Sequence, residues 1–190
     1  MTPREAAAPA QLALFRADTG GEPVVVALAG ALGKRSTAAL LGRVLGAAPA
    51  AAGPPRVAVV LNVGCAGHGK QRAAEAMGAL LDGLPPGGLA VLNADDPYAR
   101  ALVPRSAAPV LTFGRTDGDV RAVGVTLDGA GRAAFTLTDQ HGAGAPVRLA
   151  RPGACQVFNA AAAAAVALGL GRELGQVAGA LGDWGPEPAE

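Results

Sequence analysis

The sequence predicts an α/β fold: a doubly wound, mostly parallel sheet with a glycine loop of the P-loop kind, plus a small antiparallel β meander towards the C-terminal half. Three observations carry this. Apolar runs alternate with helical-period segments from Pro23 to Phe113, the rhythm of parallel strands covered by helices on both faces. The runs are continuous rather than alternating, as in Val24-Val25-Val26-Ala27-Leu28, the pattern of strands buried on both sides. After Gly114 the period switches to two, broken by glycine turns such as Asp128-Gly129-Ala130-Gly131, the signature of antiparallel hairpins.

In chain order, residues 1–22 read as an N-terminal extension or linker with a weak helix at Gln11–Arg16. Pro23–Ala29 is the first strand, and Ser36–Leu45 carries apolar residues at helical spacing. A Pro/Ala-rich connector, Ala47–Pro55, leads to a second buried strand, Arg56–Val63. A second helix, Gln71–Leu84, ends at Pro85-Pro86-Gly87-Gly88, which cannot continue it. Leu89–Leu92 is the third strand, Pro97–Val103 a short helix and Val110–Phe113 the fourth strand. The meander is expected at Val120–Leu127, Ala133–Thr138 and Val147–Ala150. Helices return at Val157–Leu168 and Glu173–Leu181, the first containing the run Ala160–Ala165, which reads as a tightly packed helix because alanine is the best helix former. Residues 182–190 are expected to be a tail or an interdomain linker, leaving 23–181 as the domain.

Composition narrows the function. The 190 residues are 51% hydrophobic but only 3% aromatic, so the core must be built from Ala, Val and Leu. The 16 basic and 15 acidic residues are interspersed with a net charge of +1, which disfavours a nucleic-acid partner. The start of the chain lacks the features of a secretory signal and no run suffices to span a bilayer, so a cytoplasmic protein is expected. The two cysteines, Cys65 and Cys155, are too far apart to suggest a metal motif and are expected to be buried thiols.

The segment Gly30-Ala31-Leu32-Gly33-Lys34-Arg35-Ser36-Thr37 joins the first strand to the first helix. Backbone N–H groups in such a turn, together with the helix dipole, form an anion site. Gly30 and Gly33 supply the conformational freedom, and Lys34 is placed to reach terminal phosphates. Arg35 stands where a magnesium-binding hydroxyl would follow the lysine; Ser36 and Thr37 are the substitutes, each turned about 100° further round the helix. The alternative is a plain glycine-rich strand-to-helix turn.

Further phrases follow in order: Val60-Leu61-Asn62-Val63-Gly64, Val91-Leu92-Asn93-Ala94-Asp95-Asp96-Pro97, Thr112-Phe113-Gly114, and Pro152-Gly153 with Asn159 opening the alanine-rich helix. With the glycine loop, this series resembles the central ATP-binding domain of the Mur ligases, over residues 23–181. Within that family the likeness leans towards the UDP-N-acetylmuramoyl-tripeptide:D-alanyl-D-alanine ligases. The resemblance implies an ATP-dependent acid:amino-acid ligase of peptidoglycan precursor synthesis, in which a carboxylate is phosphorylated and the acyl phosphate is attacked by an amine. It implies that Asn93 faces the nucleotide base, and it carries Asn159 into the same site. The cofactor-binding set is therefore Gly30, Gly33, Lys34, Ser36, Asn93 and Asn159, with ATP as the implied cofactor. Asp95-Asp96-Pro97 has a structural reading beside this one, as a helix N-cap followed by an N1 proline.

The departures from the family pattern concern magnesium. Arg43–Val59 contains no acidic residue, so the family's metal-binding glutamate has no counterpart there. Gly67 holds the place of a metal-binding histidine and His68 is displaced by one, leaving it the sole metal candidate against the simpler reading of a solvated loop histidine. Met77 replaces a lysine that is carbamoylated in many members and is expected to pack in the core, while Cys155 replaces a histidine. The family's flanking domains are not matched either. Each 1.4 kcal/mol or so of lost transition-state stabilisation slows a reaction about tenfold, so no residue is assigned a catalytic role and no independent ligase turnover is expected. Three readings remain: a ligase domain completed by partner chains; a non-catalytic nucleotide-binding or interaction pseudoenzyme, acting alone or with a genuine Mur ligase; and a vestigial structural domain.

Overall fold

The computed structural model describes residues 13–17, 23–50, 53–63 and 69–185. Its framework is one nine-stranded sheet in the order β3-β1-β2-β4-β5-β6-β7-β8-β9. The strands are β1 (Ala13–Ala17), β2 (Val24–Ala29), β3 (Ala48–Pro49), β4 (Val57–Val60), β5 (Leu89–Asn93), β6 (Val110–Gly114), β7 (Val120–Leu127), β8 (Arg132–Thr138) and β9 (Gly144–Pro152). From β2 through β4, β5 and β6 to β7 the pairing is parallel. It is antiparallel among β7, β8 and β9, and again among β2, β1 and β3. The meander thus continues the parallel sheet rather than standing apart from it.

Successive side chains of a strand point to opposite faces, and the central strands divide their residues accordingly. Val57 and Val59 of β4 and Leu89 and Val91 of β5 enter one core, while Ala58, Val60, Ala90 and Leu92 enter the other. The first core is covered by α1 (Lys34–Leu45), α4 (Gln156–Gly169) and α5 (Leu174–Gly182), the second by α2 (Gly69–Asp82) and α3 (Pro97–Arg100). Helices therefore lie on both faces, as the alternation predicts.

Ala160 to Ala167 are wholly excluded from solvent along α4, which bears out the reading of the alanine run as a packed helix. Short side chains let α4 settle close to the sheet. At its end a Cβ on Gly169 would come within 2.5 Å of a Leu89 methyl, so an added carbon there requires the Leu89 side chain to shift. Met77 is buried in the second core, as expected of a packing residue.

Several boundaries differ from expectation. The segment read as a weak helix at Gln11–Arg16 is a strand where it is described, Ala13–Ala17, paired with β2 on one side and β3 on the other. Five apolar-rich residues are too short for periodicity to separate helix from strand, and the open edge of β2 decides the matter. Part of the connector, Ala48–Pro49, likewise joins the sheet. The second strand stops at Val60, because the next residues turn to serve the loops described below. Beyond α5, Trp184 is buried in the first core, with the Arg151 guanidinium 4.5 Å from its ring centre and Arg151 Nε donating to the Gly185 carbonyl at 2.9 Å. This part of the expected tail packs against the sheet. None of the helices among the described residues is long and apolar enough to cross a membrane.

Candidate nucleotide site

The site lies where the parallel strands end, the usual place for ligands of open α/β sheets. Leaving β2, the chain makes the glycine loop and enters α1. Gly33 caps that helix with φ near +90°, and a Cβ there would meet the Asn159 Oδ1 at 2.5 Å. Position 33 therefore favours glycine by its backbone conformation, and an added carbon would have to displace the Asn159 side chain. Asn159, in the first turns of α4, accepts from the Thr37 hydroxyl at 3.4 Å and donates through Nδ2 to Gln156 Oε1 at 2.9 Å. It ties α4 to the start of α1.

Next to this loop runs the exit of β4. Because Val60 pairs with Ala29, Asn62 arrives beside the glycine turn. Its Oδ1 accepts from the backbone N–H groups of Ala31 at 2.9 Å and Leu32 at 3.2 Å, and its Nδ2 donates to the Leu32 carbonyl at 2.9 Å. The Lys34 ammonium folds back on the loop and donates to the Gly30 carbonyl.

The exit of β5 forms the facing wall. Asn93 is buried, with Nδ2 donating to the Leu61 carbonyl at 2.8 Å and Oδ1 accepting from Asp95 N–H at 2.9 Å. The Asp95 carboxylate takes the backbone N–H groups of Arg115, Thr116 and Asp117, at 2.7, 3.2 and 3.0 Å. Asp96 caps α3 by accepting from Tyr98 and Ala99 N–H, and its other oxygen accepts from Val63 N–H at 2.8 Å. The N-cap reading of Asp96-Pro97 is thus correct, and Asp95 holds a second turn.

Together these loops enclose a pocket of about 530 Å³ with Leu32, Gly33, Ser36, Asn62, Asn93 and Asn159 in its wall. Leu61, Asp95, Asp96, Phe113, Cys155 and Phe158 complete the lining. The volume suits a small organic ligand, and the mixture of apolar surface with a few convergent polar groups is typical of such sites. Phe158 is backed on its outer side by the Arg115 guanidinium, 5.6 Å from the ring centre.

Of the six residues expected to bind a cofactor, Gly33, Ser36, Asn93 and Asn159 reach the pocket wall, whereas Gly30 and Lys34 do not. Lys34 is turned away by its bond to Gly30. Sequence reasoning passes over Asn62, Phe158 and Cys155 as pocket residues. The available signal for Asn62 is a polar residue at the end of an apolar strand opposite a glycine loop. Cys155 is exposed, contrary to the expectation of a buried thiol, because it sits at the N-cap of α4, at the pocket rather than in a core. Cys65 and His68 lie outside the described residues.

The described side chains do not suit a magnesium ion. Both pocket carboxylates, Asp95 and Asp96, are committed to backbone N–H groups, and Arg35 is an exposed cation. Among the described residues no group of three His, Cys, Asp or Glu side chains is gathered that could hold a metal.

Comparison with known proteins bears on this geometry. A family model described as the Mur ligase middle domain matches residues 43–167; the glycine loop lies just upstream of the match. The UDP-N-acetylmuramoyl-tripeptide–D-alanyl-D-alanine ligase of Mycobacterium tuberculosis is 45% identical over 140 residues, 71% of this chain and 27% of that protein. The UDP-N-acetylmuramate–L-alanine ligase of Xanthomonas oryzae is 39% identical over 133 residues, 67% of this chain and 28% of that one. The chain thus spans about a quarter of the length of these relatives. Among solved structures, the D-alanyl-D-alanyl-adding ligase of Acinetobacter baumannii superposes with a TM-score of 0.72 at 24% identity, covering 83% of this chain and 45% of that one. A Thermotoga maritima MurF ligase in complex with ADP gives a TM-score of 0.65 at 22% identity, over 81% and 46%.

Proposed function

Because this chain belongs to the Mur ligase family, in which it matches the middle domain, we propose that the sheet domain whose sequence signature spans residues 23–181 is a nucleotide-binding domain of the ATP-dependent acid:amino-acid ligase type. Its setting is peptidoglycan precursor synthesis in the cytoplasm, and the domain does not complete ligation by itself. The observation that carries this reading is the gathering of Gly33, Ser36, Asn93 and Asn159 around one pocket at the carboxyl ends of the parallel strands. ATP is the proposed ligand. The N-terminus of α1 and the Ser36 hydroxyl serve its phosphates, assisted by Lys34 once it leaves Gly30, while the Asn93 wall faces the base.

The expectation of no independent turnover is supported by the commitments of the described carboxylates. Phosphoryl transfer demands groups that neutralise developing charge, and Asp95 and Asp96 already hold backbone N–H groups. A ligase reaction involving this domain therefore takes its metal ligands and its amine site from segments or partner chains outside the described residues, a genuine Mur ligase being one such partner.

Isothermal titration with ATP, with and without magnesium, tests the reading. Weak binding indifferent to magnesium is expected, and Lys34→Ala should lower the affinity about threefold, the worth of one partly exposed charge contact. An unchanged affinity in Lys34→Ala would remove the phosphate role of the loop. Absence of both heat and thermal shift with mononucleotides would leave only the vestigial domain. Amide formation with ADP release by the purified chain would refute the loss of turnover.

A further inference from the structure

The glycine loop already holds a ligand-like group of its own. In a phosphate-binding turn, convergent backbone N–H groups receive anionic oxygens. Here the two convergent N–H groups of Ala31 and Leu32 both point at the Asn62 Oδ1, and the same carboxamide returns a bond to the Leu32 carbonyl. The nearest cation, Lys34, is spent on the Gly30 carbonyl. Asn62 is neither remote nor deeply buried: it is half-exposed and lines the pocket, next to Leu61 and across from Asn93.

We propose that Asn62 is an intramolecular competitor for phosphate. It occupies the Ala31 and Leu32 seats of the loop, so that the pocket grips chiefly the nucleoside part of a nucleotide and the phosphate chain gains only what the start of α1, Ser36 and Lys34 supply. This rests on the nucleotide reading above and adds to it the residue that sets how the pocket weighs nucleoside against nucleotide.

Two physical points support it. An incoming phosphate oxygen must break three hydrogen bonds of the carboxamide to reach the two N–H groups, so its gain is the difference between a charged and a neutral acceptor rather than the whole bond. The loop itself is exposed at Ala31 and Leu32. The displaced Asn62 can therefore be solvated, and the exchange is reversible.

Titration of adenosine and ATP, without added metal, into the wild-type chain, Asn62→Ala and Asn62→Asp tests the proposal. In the wild type the two ligands should bind within about threefold of each other. In Asn62→Ala the preference for ATP over adenosine should rise about tenfold, equivalent to about 1.4 kcal/mol. In Asn62→Asp, where a carboxylate keeps the acceptor and adds negative charge, that preference should stay at or below the wild-type value.

A wild-type chain that binds ATP more than tenfold tighter than adenosine overturns the proposal while leaving the nucleotide site intact. So does an Asn62→Ala chain with an unchanged or diminished preference. This wild-type comparison stands even where a variant fails to fold. If neither adenosine nor ATP binds any of the three chains, the nucleotide reading falls and this proposal falls with it.

Discussion

The loops leaving β2 and β5 face each other across one pocket, and both are held by side chains bonded to backbone, yet they are held in opposite senses. After β5, two carboxylates bind N–H groups from three further segments, at Val63, at Tyr98 and Ala99, and at 115–117. These bonds build the wall. After β2, besides the Lys34 ammonium on the Gly30 carbonyl, the turn is fastened by one neutral carboxamide, that of Asn62, on loop residues that remain exposed. That bond closes a seat. Carboxylate bonds to N–H groups are roughly twice as strong as neutral ones, so the β5 wall is held more firmly than the Asn62 seat.

The largest effect should come from disturbing the floor beneath both loops. Ala163→Leu inserts three carbons where α4 is wholly excluded from solvent and should destabilise the chain by about 3 kcal/mol in urea unfolding. Both loops should then loosen together, since on the same helix Asn159 anchors the start of α1 and Phe158 packs against Arg115, whose N–H Asp95 holds. A selective loss at one loop would break the comparison.

Next is the wall itself. Asp96→Ala removes the cap of α3 and leaves Val63 N–H without its acceptor, a loss of about 2 kcal/mol. Asn62→Ala should lose clearly less in the same assay. Equal losses would mean that the β2 loop is as rigid as the β5 loop.

The smallest effect concerns pH. The Arg105 side chain, hydrogen-bonded to Asp82, holds that carboxyl below its usual range, and the backbone N–H of Arg132, seconded by its side chain, does the same for Asp128. A depressed carboxylate contributes stability that is present above the ordinary carboxylate range and is lost as pH falls through the lowered value. Both groups are exposed and neither lines the pocket. Their contribution should therefore be small, and Asp82→Asn with Asp128→Asn should flatten the acid limb of a thermal-melting profile without altering ligand binding.

The sequence displays much of this arrangement where a residue's role is local. Asp96-Pro97 announces a helix start, the alanine run announces close packing, and the valine-rich runs announce buried strands; each depends only on neighbours in the chain. Of the four proposed binding residues that meet at the pocket, Gly33 and Ser36 follow from the glycine turn at the carboxyl edge, whereas Asn93 and Asn159 come from the family resemblance. What stays hidden depends on register. Asn62 reaches the glycine loop only because Ala29 lies opposite Val60, and Lys34 looks free until its bond to Gly30 is seen. The strand Ala13–Ala17 is invisible for a similar reason: its conformation is imposed by the partners β2 and β3 rather than by its own five residues.

That strand has a practical consequence. It is clasped on both flanks, by Val24–Leu28 and by Ala48–Pro49, and its Ala17 is wholly buried. A fragment begun at Pro23, the boundary that motif spacing alone recommends, would strip one ladder from β2 and leave Ala48–Pro49 with nothing to join. Bare strand edges of this sort recruit other chains. Such a truncation should yield a sticky, self-associating product, and recombinant work on this domain should retain the residues from Ala13 onward.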